Sequence, residues 1–184
     1  MTAHQAARRF HHDDVFELLM EHTPDELKLA VGGELGDEAL VRRLLAEKPD
    51  LVRHLGDDER ARVVAAAQDD NASALRTMLE AGWPVDARGH HGATALHWAA
   101  FNGNVPMVRE ILRFGPPLEA HDADFDGTPL GWAIHASRDA SHPPRRDYPG
   151  VVDALLGAGA KPPAGAFEAS DGVRDVIAKY GGKA

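Results

Sequence analysis

The chain has 184 residues, 43% hydrophobic and 27% charged, a composition that suits one folded domain with a substantial core and excludes bulk disorder. It contains no cysteine, which removes disulfides, thiolate nucleophiles and Cys-ligated zinc; its apolar runs fall far short of the roughly 20 residues needed to span a bilayer, and the polar start, Met1 to Arg9, has no signal-peptide core. The formal charge of −9 argues against a general role on phosphate backbones, so the expectation is a soluble, cytoplasmic protein with no nucleic-acid and no membrane partner.

Read in chain order, the apolar pattern predicts successive helix pairs. Over residues 1–24, Ala6 and Ala7 lead through the turn Phe10-His11-His12 to Val15, Leu18 and Leu19. Over 25–55, Leu29, Gly32 and Gly33 lead through Leu35-Gly36-Asp37 to Val41, Leu44 and Leu45. Only 26 positions separate Leu18-Leu19 from Leu44-Leu45, too few for a hairpin between these two pairs, which read as helical capping repeats. Over 56–88 the same positions hold Val63, Ala66 and Ala67, then Asp69-Asp70-Asn71, then Leu75, Met78 and Leu79. Over 89–122 they hold Leu96, Ala99 and Ala100, then Asn102-Gly103-Asn104, then Val108, Ile111 and Leu112. Residues 123–163 repeat the unit with an expanded loop at 137–150, and 164–184 close the chain with Val173, Val176 and Ile177.

The clearest repetition is Thr94-Ala95-Leu96-His97-Trp98-Ala99-Ala100 against Thr128-Pro129-Leu130-Gly131-Trp132-Ala133-Ile134, thirty-four positions later. A period in the low thirties signifies a solenoid in which each unit buries its apolar face only by stacking on its neighbours. The small residues allow close helix approach, and the aliphatic pair fills the space between layers at one-face helical spacing. Thr94 and Thr128 are placed to cap first helices, with Pro129 at the first helical position. Gly82, Gly115 and Gly159 follow second helices as left-handed stops. Val85-Asp86-Ala87 and Leu118-Glu119-Ala120 read as short extended links to the next turn, and Trp98 and Trp132, at one repeat position, as partly buried packing residues.

On these residues the chain resembles the ankyrin-repeat family, whose pattern runs Gly-x-Thr-Pro-Leu-His-x-Ala-Ala-x-x-Gly, then a Leu-Leu second helix, then Gly-Ala and a β-hairpin. Gly92 to Gly115 match closely. Gly127 to Ala160 also match, although Gly127 immediately precedes Thr128 and the loop between helices is expanded. The resemblance covers about residues 56–163 and implies an all-α helical repeat solenoid with short β-hairpin or turn connections. It further implies a non-enzymatic module, monomeric alone and without a cofactor, that binds a partner protein on its concave face. That face is made from hairpin tips and the exposed side of each first helix. Carried over by position, it comprises Arg88, His90, His91, Phe101 and Asn102 from one repeat and His121, Asp124, Phe125 and His135 from the next. The resemblance also makes His97 a structural histidine near the start of its helix.

Several motifs point elsewhere and are weaker. Asp122-Ala123-Asp124-Phe125-Asp126-Gly127 copies the start of an EF-hand calcium loop, but the twelfth position is Ala133 in place of the closing Glu, so turn chemistry is favoured. The eleven histidines form no zinc motif. His135, Ser137 and Asp139 have the residue types of a nucleophilic triad without signs of its rigid geometry. Gly157-Ala158-Gly159-Ala160-Lys161 follows a helix where a phosphate loop would precede one. A metal-dependent or hydrolytic enzyme using the hairpin His and Asp residues is therefore one alternative, and a masking subunit of a fixed complex is another. The 137–150 expansion carries Pro143-Pro144, Arg145, Arg146 and Tyr148 in an otherwise acidic chain. It reads equally as a docking loop, whose Arg pair would meet an acidic partner, a phosphate or the protein's own Asp-rich edge, and as a Pro-rich spacer.

Overall fold

A computed structural model of the chain describes residues 3–138, 146–163 and 167–181. The helices are α1 Ala3–Arg9, α2 Asp13–Glu21, α3 Asp25–Leu35, α4 Glu38–Glu47, α5 Asp57–Arg60, α6 Arg62–Gln68, α7 Ala72–Glu80, α8 Ala95–Phe101, α9 Val105–Leu112, α10 Pro129–Ala136, α11 Tyr148–Gly157 and α12 Asp171–Lys179. Among the described residues there is no strand, and no helix is long and apolar enough to cross a membrane. The pairs α3/α4, α6/α7, α8/α9 and α10/α11 stack in sequence. First helices α3, α6, α8 and α10 form one row, second helices pack beside them, and α12 closes the stack on α11.

Local chemistry explains where the second helices start. Asp37, Asn71, Asn104 and Asp147 each accept a backbone N–H three residues on, from Leu40, Ala74, Met107 and Gly150, at 3.0, 3.2, 2.9 and 2.8 Å. Each such cap is worth about 1 kcal/mol. The helices stop at Gly82, Gly115 and Gly159, whose φ values of 96°, 65° and 103° are left-handed, with open space where a Cβ would be. These glycines are therefore required by backbone conformation. Gly33 is required by space: a Cβ there would lie 2.7 Å from Met78 Cγ, so glycine lets α3 approach α7. One continuous core runs from Leu29 through Val63, Leu75, Met78, Leu96, Ile111 and Leu155 to Ile177.

Three expectations need correction. Val15 and Leu18 are 44% and 57% exposed; the buried residue of α2 is Phe16, which joins Ala7 and Val31, with Leu19 and Met20 alongside, in a small cluster apart from the main core. The α1–α2 turn ends with His11 at a φ of 57°, and the face turned toward α1 and α3 is the Phe16, Leu19, Met20 stripe, where the largest ring is buried. The links after the second helices are turns and not extended: Ala87 N–H bonds to Pro84 O at 3.1 Å and Ala120 N–H to Pro117 O at 3.3 Å, each turn starting on a proline with fixed φ. The loops beyond them close hairpin-like on single bonds, Gly89 N–H to Ala93 O and Asp122 N–H to Gly127 O, both 3.0 Å, and no ladder forms. Finally, Tyr148 to Gly150 belong to α11 and not to the expanded loop. Tyr148 is 7% exposed, and Asp147 caps the helix just before it.

Candidate functional site

The loops 88–93 and 121–127 and the facing sides of α8 and α10 are organised by two buried polar groups. The first is His97, fully buried on α8. The Thr94 amide donates to its Nδ1 at 3.1 Å, with Thr94 Oγ1 at 2.8 Å, which leaves Nε2–H to donate to Gly127 O at 3.1 Å. His97 thus fixes the start of its own helix and grips the next repeat's loop. Burial lowers its pKa and keeps the ring neutral, against the opposing effect of the Gly127 carbonyl.

The second is Asp122, 4% exposed. Its Oδ1 accepts from the amides of Asp124 and Phe125 at 3.0 and 2.7 Å. Its Oδ2 accepts from the Gly127 amide and the Trp132 indole Nε1–H, both at 2.9 Å. Burial pushes this carboxyl up, but the N–H donors of Phe125, Trp132, Gly127 and Asp124 together outweigh it and hold its pKa at about 2. All four donors come from the protein, so the carboxylate is the core of a turn and not an open ligand for a cation. Among the described residues no group of three or more His, Asp or Glu side chains is placed to hold a metal ion.

Trp132, fixed by that bond, is the floor of a ring cluster. Trp98, Phe101 and Phe125 surround it with centroids at 5.2, 5.8 and 6.2 Å, all at steep interplanar angles of 83°, 74° and 69°. His91 lies 5.4 Å from Phe125, and His90 stacks over Trp98 at 14° between planes. Phe125 is 67% exposed at the loop tip, His90 is exposed, and Trp98 and Phe101 are half-buried. Such edge-to-face arrangements are the favoured ones for aromatic pairs.

The structure therefore brings together His90, His91, Phe101, Asp124 and Phe125, with Trp98 and Trp132, which the sequence marks only as packing. His91, held at a φ of 63°, donates from Nδ1 to Asp124 Oδ2 at 2.6 Å. At the rim, Arg88 donates to the carbonyls of Gly92 and His121 at 2.8 and 2.6 Å, tying one loop to the next. His121 Nδ1 donates to the Asp126 carbonyl at 2.8 Å, an interaction that raises its pKa together with the Asp126 carboxylate. His135 is exposed one turn beyond Trp132 on α10.

Three expected members of the face are engaged within the fold. Asn102 donates to the carbonyls of Ala67 and Gln68 at 3.0 and 3.2 Å, closing the end of α6. One repeat later Tyr148 does the same work: its hydroxyl donates to Phe101 O at 3.1 Å, and Arg146 lies 3.4 Å from that carbonyl and 3.3 Å from the phenol oxygen. Arg145, with Pro143, Pro144 and Asp139, lies outside the described residues. The anchor that sequence reasoning missed is Asp122; its signal was present as an Asx-type turn, but its bond to Trp132 spans ten positions and has no local signature.

A family profile described as ankyrin repeats (3 copies) matches residues 27–122 and again 63–163. Among curated proteins, the Palmitoyltransferase Hip14 of Drosophila melanogaster is 29% identical over 130 residues, covering 71% of this chain and 19% of that protein. The Palmitoyltransferase ZDHHC17 of Danio rerio is 32% identical over 80 residues, 44% of this chain and 13% of its own length. The Palmitoyltransferase ZDHHC13 of Mus musculus is 28% identical over 90 residues, 49% and 14%. The chain thus spans between 13% and 19% of the length of these relatives.

Proposed function

The chain belongs to the ankyrin-repeat family, and we propose that it is a non-enzymatic binding module that holds a partner protein on the concave face, centred on the ring cluster of His90, Trp98, Phe101 and Phe125. Ankyrin repeats are typically protein-binding, and a cytoplasmic setting belongs to the same proposal. The observation that carries it is Phe125, a large ring 67% exposed on a loop whose backbone is otherwise fixed by Asp122, His97 and Arg88. Interfaces concentrate affinity in a few aromatic anchors. A partner meeting rings already set in place loses little ordering entropy, because the loops are pinned before it arrives.

Enzymatic alternatives have less support. The His–Asp pairs of the loops face each other or backbone groups, and the carboxylate nearest the cluster already has four protein donors. The relatives named as palmitoyltransferases align over a small part of their length, and these 184 residues hold no cysteine for thiol-based acyl transfer. The test is quantitative capture from a lysate of the native host by the wild-type chain and by Phe125→Ala. A protein recovered by wild type and lost with the variant is the expected result. Equal recovery by both folded chains would move the site elsewhere.

A further inference from the structure

The ring cluster leaves one aromatic face uncovered. Phe125 meets Trp132 at 69° and His91 at 55°, so neither ring stacks on it, and it is 67% exposed. Trp98 differs, because His90 lies nearly parallel over it at 14°. Elsewhere the chain covers phenylalanine rings with its own guanidinium groups: the Arg8 guanidinium carbon lies 4.2 Å from the centre of Phe16, and that of Arg113 lies 5.9 Å from the centre of Phe114. Among the described residues no cation takes that place at Phe125. Arg88, in the adjoining loop, is held by the Gly92 and His121 carbonyls, and Arg138, just beyond α10, is paired with Glu168 at 2.7 Å.

The charge around this ring is negative and open. Asp124 and Asp126 flank Phe125 in sequence, with side chains 53% and 91% exposed. Each accepts an imidazole N–H on one oxygen: His91 Nδ1 lies 2.6 Å from Asp124 Oδ2, and His121 Nδ1 lies 2.8 Å from Asp126 Oδ1. A carboxylate has about four acceptor sites on its two oxygens, so both retain room for a further donor. Asp124 is also fixed beside the ring, because the imidazole it holds has its centre 5.4 Å from that of Phe125. Asp86 and Glu119 add exposed carboxylates to the segments leading into the two loops. Against all of these stands Arg88 alone, and the chain as a whole carries −9.

We propose that the partner taken by this face is a basic protein segment, which lays an arginine guanidinium on the open face of Phe125 and donates its N–H groups to Asp124 and Asp126. This rests on the concave-face reading and adds the partner's chemistry to it. A guanidinium is planar, stacks on aromatic faces and is more weakly hydrated than an ammonium, so it satisfies a ring and a neighbouring carboxylate at once. An acidic segment would meet like charge, and a purely apolar one would cover Asp124 without offering it a donor. The acidic loops also draw a cationic segment toward the ring before contact. His121, whose pKa is raised by the Asp126 carbonyl and carboxylate, offsets Asp126 where it is protonated, so the measurement belongs at pH 8.

The probe is a short synthetic glycine–serine peptide carrying two arginines, with lysine, glutamate and leucine versions beside it, titrated onto the full chain and followed by amide and indole NMR shifts. The expected result is that the arginine peptide shifts residues 121–127 and the Trp132 indole, that the lysine version binds more weakly, and that the glutamate and leucine versions leave these signals unmoved. Phe125→Ala weakens the arginine peptide about three- to tenfold, Phe125→Trp retains it, and Asp124→Asn with Asp126→Asn weakens it and flattens its salt dependence. No binding, binding indifferent to Phe125→Ala, equal binding of the leucine peptide, or shifts centred on the acidic turn Asp57 to Glu59 would each overturn the proposal. The two readings fail separately. Lysate capture that needs Phe125 but is not displaced by the arginine peptide overturns the basic partner and leaves the concave-face reading standing, whereas capture unchanged by Phe125→Ala overturns both.

Discussion

Replacing Asp122 with alanine tests the physical account of the site, because the amides of Asp124, Phe125 and Gly127 and the Trp132 indole N–H all end on that carboxylate. The loss can be gauged in two ways. The amides of Asp124 and Phe125 belong to exposed residues and can turn to water, but Gly127 is partly buried and Trp132 is 8% exposed, so two donors are orphaned. At roughly 1–3 kcal/mol for each buried group left unpaired, the expected loss is about 2–6 kcal/mol. The pKa shift that the same bonds produce gives a second figure: a carboxyl moved from 3.8 to about 2 on folding contributes about 2 kcal/mol at neutral pH. The two agree. Because the folded-state pKa lies below the unfolded one, this contribution is present above about pH 4 and is lost as pH falls toward 2. Asp122→Ala should therefore unfold roughly 5–20 °C lower than wild type at pH 7, and the gap should narrow between pH 4 and 2. Thermal melts followed by circular dichroism across that range decide the matter. A penalty under about 0.5 kcal/mol at pH 7, or a gap that persists unchanged at pH 2, would refute this account of the loop.

Phe125→Ala removes an exposed ring, so its melting temperature should match wild type within a degree or two while partner capture is lost; a large destabilisation would make Phe125 a packing residue and not an anchor. His97 has its pKa lowered by burial, so its contribution to stability is present above the unfolded value of 6.5 and is lost as pH falls below it. A His97→Gln chain should consequently show a flatter urea midpoint from pH 7 to pH 5 than wild type, and parallel curves would count against the neutral ring. Gly33→Ala places a methyl carbon 2.7 Å from Met78 Cγ and should cost about 1–3 kcal/mol by overpacking, measured by urea unfolding. In a Met78→Ala background, itself destabilised by loss of a buried side chain, the added cost of Gly33→Ala should be smaller than in wild type, since the crowding atom is gone.

What the sequence revealed is the part of the structure made by near neighbours. The caps at Thr94 and Thr128, the stops at Gly82, Gly115 and Gly159, and the small and aliphatic stripes of the central repeats depend on residues within one or two helical turns. All of them occupy their expected places. The register of α2 was not legible, because Val15, Phe16, Leu18, Leu19 and Met20 make an apolar arc too wide for its inner half to be chosen without knowing where α3 lies. The links failed for a different reason: Pro84 and Pro117 act as turn starters as well as breakers. Within the site, exposure was inferred from repeat position alone. Asn102 and Tyr148 stand where a side chain can face the partner, but both donate to carbonyls about one repeat earlier, Asn102 to Ala67 and Gln68 and Tyr148 to Phe101.

Those long-range bonds also explain how the loops of the proposed site can be stable while their rings stay uncovered. Arg88 reaches His121 O, the Ala123 amide reaches His91 O at 2.8 Å, Asn104 reaches Asp70 at 2.6 Å, and Asn102 reaches the end of α6. Each joins residues 32 to 35 positions apart, so each ties one repeat to its neighbour and adds to the interface part of a solenoid's stability. The groups that hold the loops are Arg88, His97 and Asp122, whose partners are backbone groups together with Thr94 Oγ1 and the Trp132 indole; the groups left facing out are rings, His90 and Phe125 above all, which need no internal partner. Under the proposed function, rigidity and recognition thus fall to different side chains. Loss at Asp122 should therefore weaken stability and partner binding together, whereas loss at Phe125 should weaken binding alone.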